Sequence, residues 1–180
     1  SQTHHVGVMA TRATINSQRV ARLVADHSER AEFHLQACDG LAKAIARSTE
    51  QPFPEQADTT EIRALCARYT SSLGNFGQKT GQMDTLVLGC THYVFVKDDL
   101  RALLGLDIQL LDTGAHVACE TSRMLEQRAL LTPEAHSQQI QLQTTGTLSA
   151  LQAAAQRWLA LPASCCAVVS VPSPNAAMMA

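Results

Sequence analysis

The chain has 180 residues, enough for one hydrophobic core or for two small lobes that share an interface. Apolar residues make up 46% and charged residues 17%, which excludes a disordered or fibrous protein. A formal net charge of -2, with scattered Lys and Arg, argues against a nucleic-acid partner, and no apolar run reaches the roughly 20 residues of a membrane span. The first residues also lack the order of a secretion signal, so we expect a cytoplasmic protein.

Strand-like and helix-like segments alternate along the chain. In order, the pattern predicts strand 4–10, helix 15–27, strand 31–38, helix 40–48, helix 59–73, strand 84–90, helix 92–105, strand 107–112, helix 114–131, strand 140–145, helix 148–161 and strand 166–171. Such alternation implies an α/β fold in which helices cover both faces of parallel sheets. Segments 49–58 and 74–83 are interpreted as breaks or insertions, and a weak boundary is expected near Asp112.

The stretch "LVLGCTHY" sets Cys90, Thr91 and His92 at the end of a buried strand. In open parallel sheets, ligands bind beyond the carboxyl ends of the strands. A helix beginning near Thr91 would favour negative charge on the Cys90 sulfur, and His92 could orient the thiol or exchange a proton with it. Thr91 offers a hydroxyl and a backbone N–H to an anionic group. The alternative, equally weighted on these residues alone, is a thiol that only fills the core.

A second candidate site lies in "GVMATRATINS", where Thr11 and Thr14 bracket the turn between a strand and a helix. Hydroxyl groups at a helix start suit the recognition of a carboxylate. If this strand and strand 84–90 share one parallel sheet, both carboxyl ends open on the same side, near Cys90. The alternative is that Thr11 and Thr14 only cap the helix.

The spacing of the remaining cysteines and of the histidines predicts neither a metal site nor a disulfide framework. The chain has no C-x-x-C pair, and the adjacent His4 and His5 lack a further ligand at zinc spacing. Free thiols are expected throughout. The other five cysteines are predicted to be small core residues, namely Cys38, Cys66, Cys119, Cys165 and Cys166. Six histidines are interpreted as surface or packing residues, namely His4, His5, His27, His34, His116 and His136.

Taken together, "LVLGCTHY", the later "LLDTGAHVA", the upstream "GVMATRATINS" turn and "TTG" near residue 145 resemble the glutamate racemases. The resemblance implies a two-lobed α/β enzyme in which two cysteines face opposite sides of the substrate Cα and no cofactor is needed. Cys90 would act on L-glutamate, assisted by His92. Thr11, Thr14, Thr91 and His92 would hold the amino-acid substrate, and His92 stands where aspartate racemases usually carry Glu. Racemases of this family make D-glutamate for peptidoglycan.

The sequence departs from the family by lacking its Asp-Ser-Gly, Pro-Tyr-Gly and Cys-Asn-Thr motifs. We therefore expect it to correspond to the C-terminal two-thirds of such an enzyme, with an αβα lobe at 1–111, part of a second lobe at 112–171 and a tail at 172–180. The chain alone should be weakly active or inactive, because the opposing Cys is missing, and it could form a homodimer. The alternatives are a non-catalytic amino-acid-binding or protein-interaction module and, among enzymes, an aspartate or hydantoin racemase.

Overall fold

The structure, a computed structural model, describes residues 1–49, 56–132 and 139–171, without the side chains of residues 56–58. It confirms the α/β fold, with parallel strands flanked by helices. Packing divides the described chain into two compact units. The first unit comprises 1–46 and 56–132, and the second comprises 47–49 and 139–171. The proposed lobes at 1–111 and 112–171 stay a prediction, and the tail at 172–180 lies outside the described residues.

The elements follow the predicted order. The strands are β1 (His5–Ala10), β2 (Glu32–Ala37), β3 (Thr85–Leu88), β4 (Gln109–Asp112), β5 (Leu142–Thr144) and β6 (Cys166–Val168). The helices are α1 (Arg12–Ile15), α2 (Gln18–His27), α3 (Leu41–Thr49), α4 (Gln56–Leu73), α5 (Lys97–Leu104), α6 (Thr113–Gln127) and α7 (Leu148–Leu159). Two short 3-10 turns lie at Tyr93–Val96 and Ala163–Cys165. Among the described residues, no helix has the length and apolar character to cross a membrane.

The first unit is built on a four-stranded parallel sheet in the order β2-β1-β3-β4. The two central strands carry fully buried side chains, such as Met9 and Leu88, because both of their edges are paired and a packed layer covers them. Met9 also pairs with Leu88 in the register between β1 and β3. The carboxyl ends of these strands therefore open at the same edge of the sheet, as predicted.

The core lies where α3, α4 and α5 pack on this sheet. Its fully buried side chains include Leu41 and Ile45 of α3, Cys66 of α4 and Leu100 of α5. By contrast, α2 buries none of its residues, and every residue of α6 is exposed. The first unit therefore has one well-packed helical layer, while α2 and α6 present their side chains largely to solvent.

The predicted helix 15–27 is present as α2, which begins three residues later, at Gln18, and a separate short helix, α1, precedes it. The Thr11 side chain accepts a hydrogen bond from the Thr14 N–H and starts α1, while the Ser17 side chain accepts from the Val20 N–H and starts α2. Two N-caps in quick succession divide the segment, since each cap residue takes an extended backbone conformation. The "T-x-x-T" motif thereby becomes a compact turn of its own.

The predicted helix 92–105 also differs, because a 3-10 turn occupies its first part. The run Tyr93–Val96 consists of aromatic and β-branched residues, which lose side-chain freedom in an α-helix. The α-helix begins at Lys97, where Asp98 and Asp99 in the first turn favour a helix amino terminus. The expected helix dipole next to Cys90 therefore starts several residues further along the chain.

The second unit is a smaller assembly in which β5 and β6 pair in parallel and contact α7. Among its described residues, the buried apolar one is Ala155 of α7. The Arg157 guanidinium donates to the Ser48 carbonyl at 2.5 Å. Large apolar side chains such as Leu159 and Val168 remain more than half exposed. Among the described residues, this unit therefore has far fewer buried apolar side chains than the four-stranded unit.

Candidate active site

The candidate site forms where β1 and β3 end side by side. Gly89 continues the pairing beyond β3, because its N–H donates to the Met9 carbonyl at 2.8 Å. A Cβ atom at Gly89 would lie 3.1 Å from the Ala10 Cβ and 3.2 Å from the Met9 oxygen, closer than side chains normally allow. The glycine thus permits a close approach of the two strand ends. Continuing the register places Thr11 opposite Cys90.

Cys90 and His92 form the chemical centre of this edge. The Cys90 sulfur lies 3.9 Å from Nδ1 of His92, a long contact of the kind that sulfur makes. Both residues are half-buried, and Cys90 packs against the core from the edge of the sheet. The Cys90 carbonyl accepts the Tyr93 N–H at 3.0 Å, which fixes the turn that carries both side chains. The structure therefore brings a thiol and an imidazole within reach of each other and of solvent.

Thr11 and Thr14 form a hydroxyl pair across the adjacent turn. Their Oγ1 atoms lie 2.9 Å apart, and the Thr14 N–H also points at the Thr11 hydroxyl at 3.4 Å. Thr11 thus caps the helix, which is the alternative role that the sequence offered for it. Whichever hydroxyl donates within the pair, the proton of the other stays available for a ligand. Thr91 is exposed between Cys90 and His92, so its hydroxyl is also accessible.

Burial separates Cys90 from the core cysteines Cys38 and Cys66. All six are free thiols, and Cys38 and Cys66 are core residues, as predicted. Burial raises the pKa of the Cys38 and Cys66 thiols to about 12. Cys38 also follows a strand end, yet at 2% exposure it stays protonated and inaccessible. The prediction of a core position was wrong for Cys119, which is exposed on α6. Cys165 and Cys166 are half-buried.

Sequence reasoning missed two ion pairs at the same edge of the sheet. Arg12 lies inside the T-x-x-T turn, and its guanidinium donates to the carboxylate of Asp39, which follows β2. This contact raises the pKa of Arg12 and lowers the pKa of Asp39. Lys97 donates to Asp112 at 2.7 Å, and this bond holds the pKa of the Asp112 carboxyl below its usual range. The available signal was that Arg12 and Asp39 each follow a strand and that Asp112 ends one.

Comparison with known proteins gives the site its context. No protein-family model matches the chain. The glutamate racemase of Herpetosiphon aurantiacus is 38% identical over 146 residues, which are 81% of this chain and 53% of that protein. The glutamate racemase of Pseudomonas paraeruginosa is 39% identical over 128 residues, which are 70% of this chain and 43% of that protein.

Solved structures agree on the fold. The glutamate racemase isoform RacE1 from Bacillus anthracis matches with a TM-score of 0.76 at 24% identity, over 97% of this chain and 59% of that one. A Francisella tularensis glutamate racemase, solved in complex with D-glutamate, matches with a TM-score of 0.70 at 21% identity, over 93% of this chain and 58% of that one. The chain is therefore a homologue of the glutamate racemases over most of its length, and it spans about half the length of the curated relatives it matches.

Proposed function

We propose that this chain carries one half of the proton-transfer site of a glutamate racemase, with Cys90 as the acting thiol. The observation that supports this most is the placement of the Cys90 sulfur 3.9 Å from the His92 imidazole at the carboxyl edge of a parallel sheet. In the forward step, the Cys90 thiolate takes the α-proton of L-glutamate and leaves a carbanion. A second thiol on the opposite face gives its proton to that carbanion, which yields D-glutamate.

In this proposal, His92 assists Cys90 by holding or accepting its proton through Nδ1. The free hydroxyl proton of the Thr11–Thr14 pair donates to the substrate carboxylate from the neighbouring strand end. Thr91 adds a further hydroxyl from the same turn, and His92 also contacts the substrate. Neutral donors suit this role, because they bind a carboxylate without forming an ion pair with the nearby thiolate.

The opposing thiol is the part that the described site does not supply. Cys38 is the other cysteine at a strand end of this sheet, and its burial and raised pKa, about 12, keep it protonated. We therefore propose that the 180-residue chain alone interconverts glutamate enantiomers weakly or not at all. We also propose that D-glutamate made by the racemase activity is formed in the cytoplasm for peptidoglycan. A homodimer stays a prediction.

The test compares D-glutamate formation from L-glutamate by two proteins. One is the 180-residue chain, and the other is the same chain joined to the part of the Herpetosiphon aurantiacus relative that it does not match. We expect activity from the joined protein and almost none from the chain alone. In the joined protein, Cys90→Ser should lower the rate by about 10²- to 10⁴-fold, because a proton-transfer group is lost.

Cys119→Ser is the matched control, since Cys119 is an exposed thiol on α6. It should leave the rate unchanged. Retention of activity by Cys90→Ser would overturn the role of Cys90. Equal rates for the chain and the joined protein would overturn the need for a second thiol.

A further inference from the structure

The amino ends of β1 and β2 bring together three side chains that sequence analysis left without a role. His5 starts β1, and Glu32 and His34 lie on β2. In the part of the chain that the structure describes, their ligand atoms form a group in which all lie within 4.8 Å of one another. We propose that His5, Glu32 and His34 form a binding site for a divalent transition metal ion, with Zn²⁺ as the reference ion.

The strand register explains why three residues so far apart in sequence meet. His5 pairs directly with Glu32, and His34 lies two residues further along β2 on the same face, opposite Gly7. Side chains two residues apart on a strand share a face, so Glu32 and His34 both flank His5. The two imidazole rings stack with centroids 5.6 Å apart.

The distances within the group match the spacing of zinc ligands. Nδ1 of His5 lies 3.3 Å from Nε2 of His34, and each ring nitrogen lies 3.6 Å from a Glu32 carboxylate oxygen. Tetrahedral ligands held about 2.0–2.2 Å from a zinc ion lie about 3.3–3.6 Å from one another. Each imidazole nitrogen therefore already lies at zinc-ligand spacing from the other nitrogen and from one oxygen of Glu32.

The chemistry of the donors agrees with this geometry. Two imidazoles and one carboxylate form a ligand set that zinc uses when its fourth position holds water. The rings converge on their nitrogen side, since the nitrogens are closer than the ring centroids. The two oxygens of Glu32 face different rings, so this carboxylate can serve the ion without a large rearrangement. An open surface depression lined by His4, His5, Arg30 and Glu32 adjoins the group and leaves access for water.

The placement suggests what the ion would do. Among the described strands, β2 lies at the side of the sheet and pairs with β1 alone. A metal ion bound by residues of both strands would hold β2 in register with β1 at the first residues of the two strands. Cys90 lies at the opposite end of the sheet, so metal binding here is independent of the proposed racemase site, and either proposal can fail alone.

The test uses the full chain and Zn²⁺, followed by NMR of the histidine imidazole resonances. We expect Zn²⁺ to shift the signals of His5 and His34 and to leave those of His27 and His116 in place. This readout also separates the site from any zinc held by the six free thiols. Shifts confined to other histidines, or no imidazole shift at all, would overturn the proposal.

Ligand variants add a quantitative arm by calorimetric titration with Zn²⁺. Removing a group that merely orients a metal ligand typically weakens binding about 10- to 100-fold, so loss of a direct ligand should cost at least about tenfold. We expect that loss for His34→Ala and for Glu32→Gln, which keeps the size of the side chain. His27→Ala, at the end of the exposed helix α2, is the control and should keep the wild-type affinity. Unchanged affinity in Glu32→Gln together with His34→Ala would contradict the site.

Discussion

The two ends of the four-stranded sheet differ in chemistry, although the same strands form both. The carboxyl end presents a thiol beside the His92 imidazole, hydroxyls and the starts of turns and helices. Its Asp39 and Asp112 carboxylates are paired with Arg12 and Lys97. The amino end presents imidazoles and carboxylates, with His5, His34 and Asp84. In βα units, unpaired backbone N–H groups face the carboxyl end, whereas helix carbonyl ends face the amino end. The topology therefore prepares one end for anions and the other for cations.

Substitution of Asp84 should have the largest effect on stability, and it tests the amino end of the sheet. Its buried carboxylate accepts the backbone N–H groups of Gln2 at 2.5 Å and Thr3 at 3.1 Å, and the Thr85 hydroxyl at 2.9 Å. Asp84→Ala leaves these donors without their acceptor, so we expect a loss of about 3 kcal/mol in the free energy of unfolding. Urea unfolding measures it. A loss no larger than that of an exposed control, Asp26→Ala, would contradict this account.

The same carboxylate predicts a pH dependence. Burial alone would raise the pKa of Asp84, but hydrogen bonds from Ser1, Gln2, Thr3 and Thr85 outweigh it and hold the pKa well below its ordinary value of 3.8. A depressed pKa stabilises the fold fully above that ordinary value, and the contribution is lost as the pH falls below it. We expect Asp84→Asn to lose less stability on acidification from neutral pH than the wild type loses. Identical acid sensitivity would show that Asp84 does not contribute.

Gly89 tests the carboxyl end, with a smaller expected effect. In Gly89→Ala, the new Cβ atom would meet Ala10 at 3.1 Å and the Met9 oxygen at 3.2 Å, so the strand ends must shift by a few tenths of an ångström. We expect a loss of about 1 kcal/mol by chemical unfolding. Gly146→Ala is the control, because its Cβ would meet only the Thr144 hydroxyl at 3.4 Å. A stability gain in Gly89→Ala would show that this close approach is not needed.

Sequence patterns predicted that Thr11 and Cys90 lie at the same end of the sheet, because both residues come directly after a strand in the chain. A T-x-x-T turn and a Cys-Thr-His run each follow a strand, and a parallel sheet then brings Thr11 and Cys90 together. The amino-end cluster depends on the register between β1 and β2. A shift of one residue would move His34 to the other face, and no pattern in the sequence fixes that register. The helix starts at Arg12 and Lys97 were missed for local reasons. Two successive N-caps separate α1 from α2, and a run of aromatic and β-branched residues delays the start of α5.

The smallest effect concerns Lys97 and Asp112 at the carboxyl end. Lys97 donates to Asp112 at 2.7 Å, and this bond is the main cause of the lowered pKa of the Asp112 carboxyl. We expect Lys97→Met to move that pKa upward toward its ordinary value, as followed by carboxyl NMR during a pH titration. Stability should change little, because the Lys97 side chain is 39% exposed and solvent screens such a pair.

Lys43→Met is the matched control, since this lysine lies on α3 and should leave the Asp112 titration unchanged. The Asp112 oxygen that does not face Lys97 accepts the Gly114 N–H at 3.0 Å and starts α6. This bond also lowers the pKa of Asp112, so the recovery in Lys97→Met should be partial. Full recovery would mean that the start of α6 contributes nothing to the carboxylate. In that case, the helix start after β4 would lack the anion preference that we assign to this end of the sheet.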